Sequence, residues 1–160
     1  MTNTAHRPSD VAALKSSVDL AASLCRAFEG LFAKPYTCPA GVPTIGYGTT
    51  IYPDGRKVTL DDQAITRETA EALLHHELLA LEPHILRLCP TVADSPRRTA
   101  ALIDFAYNLG WPRLRASTLR RCVNRRDWPG ARIEILRWNR AGGRILKGLT
   151  LRRQAEAALF

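Results

Sequence analysis

Residues 29–50, EGLFAKPYTCPAGVPTIGYGTT, constrain the fold more than any other stretch of this chain. A lone carboxylate, Glu29, closes a long helical pattern. Cys38 follows after eight intervening residues, and Thr44 after five more. Between them Pro39, Ala40 and Gly41 read as a turn, and the run from Thr44 to Thr49 alternates bulk with glycine. Glycines inside a strand weaken it, so Gly46 and Gly48 mark a place where a ligand or a neighbouring lobe comes close to the backbone. An acid at a helix end that faces a hairpin bearing two more polar groups forms a cleft.

The elements around this stretch follow from periodicity. From Asp10 onward Val11, Leu14, Val18, Ala21, Leu24, Cys25 and Phe28 recur at three- and four-residue steps, the pattern of an amphipathic helix. Ser16 or Ser17 can instead cap a second segment, which leaves one helix or two as readings. Residues 1 to about 9 read as frayed. Gly30 suits the left-handed position after a helix. Glu29 then sits on the last turn between Phe28 and Leu31, in apolar surroundings that disfavour its charge; a guanidinium from Arg152 or Arg153 would oppose that effect. Residues 34–60 read as short antiparallel strands, with Thr44–Thr49 as one and Arg56–Thr59 as another beyond an Asp54-Gly55 turn. Asp61 and Asp62 read as loop acids.

Helices follow to the end. Thr66 caps one that carries Ala70, Leu73, Leu74, Leu78 and Leu81 to at least Glu82, with Pro83 kinking it before Leu88. Ser95-Pro96 starts another that stops at Gly110. Ser117 caps a short helix, Trp128–Trp138 forms the next with Ile133, Ile135 and Leu136, and Gly142-Gly143 is a loop. Leu149–Phe160 is a last helix with Leu151, Ala155, Ala158 and Leu159 inward. A small sheet with helices segregated from it is an α+β fold.

Charge and cysteine usage narrow the function. Net charge is +8, and residues 91–160 hold 15 basic against 5 acidic residues, a local balance of +10. Such a half attracts a polyanion, either nucleic acid or an anionic cell envelope, or it only keeps the protein soluble. No helix-turn-helix, zinc or aromatic-platform motif accompanies it, so the reading is no nucleic acid. Cys25, Cys38, Cys89 and Cys122 form no C-x-x-C pair and no ligand spacing with the four histidines, so no metal and no cofactor are expected. His75 and His76 read as solvent-facing. Cys25 falls on an apolar stripe and reads as a buried thiol. No run approaches the roughly 18 apolar residues that a spanning helix needs. The opening residues, MTNTAHRPSD, do not read as a signal peptide, which implies synthesis as a cytoplasmic protein.

Four ordered motifs resemble the phage-type lysozymes, the endolysins of T-even and lambdoid phages. Glu29-Gly30, Tyr36, Cys38, Gly41 and Thr44-Ile45-Gly46-Tyr47-Gly48 stand in the register of that family's active-site segment. Ala101 to Gly110 is similar to its A-L-x-D-F-x-F/Y-N-x-G helix, and Ala116 to Leu119 to its S-T-L cap. Arg137-Trp138, Gly142-Gly143, Gly148-Leu149, Arg152-Arg153 and Glu156 are similar to its closing segment.

The resemblance implies a single lysozyme-like catalytic domain over residues 1–160, with an extension at 1–16, a β lobe at 30–65, a connector helix at 66–88 and a helical lobe at 89–160. The active site would lie in the cleft between the lobes. It also implies hydrolysis of the β-1,4 bond between N-acetylmuramic acid and N-acetylglucosamine in peptidoglycan, with inversion. Glu29 would be the general acid, and Cys38, where most of the family has Asp, would act on the water together with Thr44. Tyr47 and Asn108 would contact saccharide, although Tyr47 also fits the core. A monomer that reaches the wall through a separately formed, holin-like membrane lesion completes the expectation. The alternatives are a catalytically impaired peptidoglycan-binding relative and a basic nucleic-acid-binding protein.

Overall fold

The computed structural model describes residues 15–160. The helix start at Asp10, with Val11 and Leu14, and the fraying of the opening residues both lie outside the described residues. Helix α1 runs Ser17–Phe28, and Ser16 is its cap. The Ser16 hydroxyl accepts the Asp19 N–H at 3.1 Å while the Asp19 carboxylate accepts the Ser16 N–H at 3.3 Å, which satisfies two end donors reciprocally. The helix stops differently from the sequence expectation. Glu29 is the cap residue itself, in extended conformation at φ −93 and ψ 139, and Gly30 is not left-handed. An extended exit feeds the chain straight into strand β1, Phe32–Thr37, so no reversal is needed there.

β1 pairs antiparallel with β2, Pro43–Gly46, through Tyr36 opposite Thr44 and Thr37 opposite Pro43, with an irregular register toward Phe32 opposite Gly46. The expected long second strand is cut short. Gly46 at φ +67 and Gly48 at φ +123 turn the chain over, and Ile45 meets Thr49 in a single bridge. The expected strand Arg56–Thr59 is reduced to one bridge, Ile51 to Lys57.

That loop is held by a side chain instead of a ladder. Asp62 accepts from the Thr59 N–H at 3.1 Å, the Tyr52 hydroxyl at 2.9 Å and Arg56 at 2.8 Å. These bonds, the Thr59 N–H foremost, pull its carboxyl from the ordinary 3.8 to about 2. A carboxyl lowered on folding adds stability above its unfolded value and loses it as pH falls through the folded one. Wild type should therefore melt above Asp62→Asn at neutral pH, and the gap should close between pH 3.8 and about 2. Thermal melts of both proteins over that range check this.

Helix α2, Arg67–Leu88, is about 33 Å long at 1.5 Å per residue. Thr66 caps it, and Pro83 lies inside a helix that continues past it. A proline there has no N–H for the carbonyl four residues back, that of Leu79, whose side chain is on the exposed side. After a 3-10 turn at Pro90–Val92, α3 runs Pro96–Leu109 with Ser95 as cap and stops at Gly110, φ +87. Its residues Thr99 through Ala106 are all buried, so α3 is the central rod on which α1 and α2 pack.

The short α4, Trp111–Ala116, has no counterpart in the sequence reading: Gly110-Trp111-Pro112 ends one helix and starts the next, with Pro in the first turn. α5, Thr118–Asn124, is capped by Ser117, and α6, Trp128–Leu136, by Asp127. Ile135 of α6 is buried, whereas Ile133 and Leu136 are exposed. Gly142 and Gly143, both at positive φ, turn a two-residue hairpin, β3 Arg140–Ala141 with β4 Arg144–Ile145, where a plain loop is the sequence expectation.

α7 spans Lys147–Ala157, and its inward face is charged rather than aliphatic. Arg152, Arg153 and Glu156 are buried, while Leu151 and Ala158 face outward. The result is an α+β fold: a small antiparallel sheet lobe beside a larger helical lobe, with α2 leading from one to the other. Among the described residues no helix is long and apolar enough to cross a membrane.

Candidate active site

The end of α1 places Glu29 against the last helix. Its Oε1 accepts from Arg152 Nη1 at 2.5 Å, and no protein group among the described residues bonds its other oxygen. Of the two guanidiniums that the sequence sets against the apolar neighbours Phe28 and Leu31, Arg152 is the one that pairs with Glu29, 123 residues distant in sequence.

Arg152 is itself fixed from behind. Its Nε and Nη2 fork onto the two oxygens of Asp104, at 2.9 and 2.8 Å, in the bidentate geometry that makes Arg–carboxylate pairs strong. The Cys25 thiol donates to the same carboxylate at 3.1 Å, and burial beside that anion pushes the thiol far up. Burial pushes Asp104 up as well, but the Arg152 bonds outweigh it and hold the carboxyl below the ordinary carboxylate range. Glu156, 2.8 Å from Arg153, moves the other way: burial first, then the neighbouring Asp104, raise it well above the usual range. Arg152 thus bridges the buried Asp104 and Glu29, while Arg153 is held by Asn108 and Glu156.

Glu29 lies on the wall of a cavity of about 730 Å³ between the lobes. Tyr107 and Asn108 of α3, Trp111 of α4, His84 and Glu77 of α2 and Tyr52 of the loop are among the other residues that line it. The Tyr107 hydroxyl donates to the backbone carbonyl of Tyr47 at 2.9 Å. A Cβ on Gly48 would sit 3.1 Å from that hydroxyl, so glycine there serves close approach as well as the positive φ. Thr49 donates to Glu77 at 2.6 Å and ties the turn to α2; burial raises the Glu77 carboxyl. The His84 and Trp111 rings stack at 5.6 Å on the far wall.

Of the residues that sequence singles out, Glu29, Tyr47 and Asn108 line the cavity. Tyr47 is 4% exposed and its hydroxyl donates to Glu71 at 3.0 Å, so the core reading describes its packing and its phenol points to α2. Asn108 accepts from Arg153 at 2.9 Å through its carbonyl oxygen.

Cys38 and Thr44 stand on the β1–β2 hairpin beside the cavity rather than on its wall. The Cys38 thiol is half-buried over its own turn, where the N–H groups of Val42 and Ala40 lower it below the ordinary thiol value. Thr44 is buried and its hydroxyl donates to the Val42 carbonyl at 2.9 Å, which leaves its lone pairs to accept. Burial together with charge at Cys38 and at Glu29 raises Tyr36, so one phenol senses both sides of the site. Among the described residues no cluster of His, Cys, Asp or Glu is placed to hold a metal ion.

Sequence reasoning left Asp104, Glu156, Glu77, Tyr107 and Trp111 without a site role. A signal existed for the first two. An acid inside the apolar run Ala100–Ala106 must be buried on α3, and a buried carboxylate needs a cation, which the Arg152-Arg153 pair supplies.

The phage lysozyme family model matches residues 26–156. An endolysin of Acyrthosiphon pisum secondary endosymbiont phage 1 is 36% identical over 86% of this chain and 92% of its own length. An endolysin of Bacillus phage B103 is 35% identical over the same share of this chain, which spans about half (51%) of that longer protein. Among solved structures, the endolysin from Escherichia coli O157:H7 phage FAHEc1 superposes with a TM-score of 0.76 at 30% identity, over 88% of this chain and 89% of that one. A family match over residues 26–156, with a superposition that covers 88% of the chain, makes the chain a member of the phage lysozyme family.

Proposed function

We propose that the chain is an endolysin-type peptidoglycan hydrolase that cleaves the β-1,4 bond between N-acetylmuramic acid and N-acetylglucosamine with inversion. The observation that carries this reading is Glu29. Its carboxyl is anchored through one oxygen by a buried guanidinium, and it lines a cavity wide enough for a saccharide chain. The glycosidic oxygen leaves only if it is protonated as the bond breaks, and Glu29 supplies that proton. Water attacks the anomeric carbon from the opposite face, and the carbon–oxygen bond on the leaving side breaks. The departing proton of the water passes to the Cys38 thiolate, whose turn N–H groups favour the ionised form. The Thr44 hydroxyl, committed as donor to Val42, accepts from the same water. Asn108, with its carbonyl oxygen taken by Arg153, offers its amide N–H groups to the glycan, and the Tyr47 ring forms part of the wall.

Residues 17–160 act in this reading as one catalytic unit, because α1, α3 and α7 all contribute to the anchoring of Glu29. Access to the wall through a lesion made by a separate holin-like protein belongs to the same proposal.

The Cys38 series tests it against a peptidoglycan-binding relative without turnover. Cys38→Asp should lyse outer-membrane-permeabilised cells at a rate comparable to the parent, since a carboxylate restores both acceptor and charge. Cys38→Ser and Cys38→Ala should fall by on the order of 10²-fold. Thiol-blocking reagent should abolish parental lysis and spare Cys38→Asp. Full activity in Cys38→Ala would make Cys38 a bystander. A retained anomeric configuration on a soluble glycan fragment would replace the water mechanism with a covalent one.

A further inference from the structure

The segment from α6 to the start of α7 carries a surface that neither catalysis nor folding explains. Ten large hydrophobic side chains are exposed among the described residues, and five of them fall between positions 133 and 151: Ile133, Leu136, Ile145, Leu146 and Leu151. They are 64, 39, 58, 43 and 48% exposed. Basic residues are interleaved with them. Arg132 and Arg137 share the outer face of α6 with Ile133 and Leu136 at helical spacings of three and four, while Arg140, Arg144 and Lys147 surround Ile145 and Leu146 on the hairpin. The only acid from Trp128 to Leu151 is Glu134, which already pairs with Arg137. Arg132, Arg140, Arg144 and Lys147 have no ion-pair partner among the described residues.

The hairpin adds a second observation. β3 and β4 form a sheet of their own, and every residue from 140 to 147 is exposed. A lone two-stranded hairpin is marginal in water, and one that leaves an isoleucine and a leucine uncovered buries little to hold it. A polyanion in solution would account for the cations and leave the aliphatics unexplained. A leaflet of anionic phospholipid accounts for both, with headgroup phosphates on the guanidiniums and side chains seated at the acyl boundary.

We propose that the α6–hairpin face, centred on Ile145 and Leu146 and ringed by Arg132, Arg140, Arg144 and Lys147, docks peripherally on an anionic phospholipid surface. This surface is distinct from the glycan cleft and does not depend on the catalytic assignment. Docking would hold the protein at the envelope beside its polymer.

Co-sedimentation with vesicles tests this. The intact chain should partition onto phosphatidylcholine vesicles containing about a third phosphatidylglycerol, and should stay in the supernatant with phosphatidylcholine alone. Arg140→Gln/Arg144→Gln should weaken binding about 30-fold, at roughly 5-fold per charge near the surface. Ile145→Ser/Leu146→Ser should weaken it about 10-fold with the charges intact. Both variants should keep the parental circular dichroism and the parental turnover of soluble peptidoglycan fragments. Failure of the intact chain to sediment with anionic vesicles overturns the proposal. So does undiminished binding by Ile145→Ser/Leu146→Ser, which would make the face a charge patch for any polyanion, DNA included.

Discussion

Glu29→Gln should fold as the parent does and lyse cells on the order of 10²-fold or more slowly, the usual loss when a general acid is removed. Glutamine keeps the volume, and its carbonyl oxygen can still accept from Arg152 Nη1, so the end of α1 stays attached to α7. What disappears is the ionisable proton on the oxygen that faces the cavity. The substitution therefore separates chemistry from architecture. Lysis of permeabilised cells and turnover of a soluble glycan should fall together, while the melting temperature and binding to isolated sacculi stay near parental values. A well-folded Glu29→Gln protein with near-normal turnover would remove Glu29 from the role of acid.

Arg152→Met should cost stability as well as activity. Asp104 is 0% exposed, and both of its oxygens depend on Arg152. Deletion of one partner of a buried pair costs about 3–5 kcal/mol, because the other charge stays behind without compensation. For a chain of this size that is a melting temperature lower by about 10 °C. Lysis should be lost even at temperatures where the variant is folded, since Glu29 loses its anchor. The double variant Asp104→Asn/Arg152→Met carries no stranded carboxylate, so much of the stability should return while activity does not. Thermal unfolding and lysis of the three proteins make a cycle in which the two readouts diverge. A stability loss under about 1 kcal/mol in Arg152→Met would show that Asp104 finds another partner.

Most of the architecture was legible in the sequence because it depends on local chemistry. Ser95-Pro96, Thr66 and Ser117 announce helix starts by the hydrogen bonds they alone can make, and each caps a helix in the structure. Family motifs singled out Glu29, Cys38 and Thr44, of which Glu29 lines the cavity and the other two stand on the hairpin. Where the reading failed, the deciding contact was distant in sequence. Leu151 and Leu159 make α7 look like an ordinary amphipathic helix, but Asp104, 48 residues upstream, recruits Arg152 and turns the charged face inward. At Glu29 local sequence shows only the neighbours Phe28 and Leu31 and leaves open whether Arg152 or Arg153 reaches it; the structure has Arg152 there. The short elements failed for another reason. α4 and the Arg140–Ile145 hairpin are six residues each, too few for a periodicity to show, and only the Pro112 and Gly142-Gly143 signals mark them.

The pairing of Glu29 with Arg152 also sets an order of events during synthesis. The acid leaves the ribosome 123 residues before the guanidinium that anchors it, an interval of about 6–25 s at ordinary elongation rates. Throughout that interval α1, α2 and α3 can meet, but Asp104 would have to enter the core beside Cys25 with no cation to balance it. Docking of α1 on α3 is thus incomplete until α7 arrives, and a nascent chain that stops short of Arg152 has neither a settled helical lobe nor an anchored acid. Anchoring of the acid therefore waits on the whole stretch from residue 29 to residue 152.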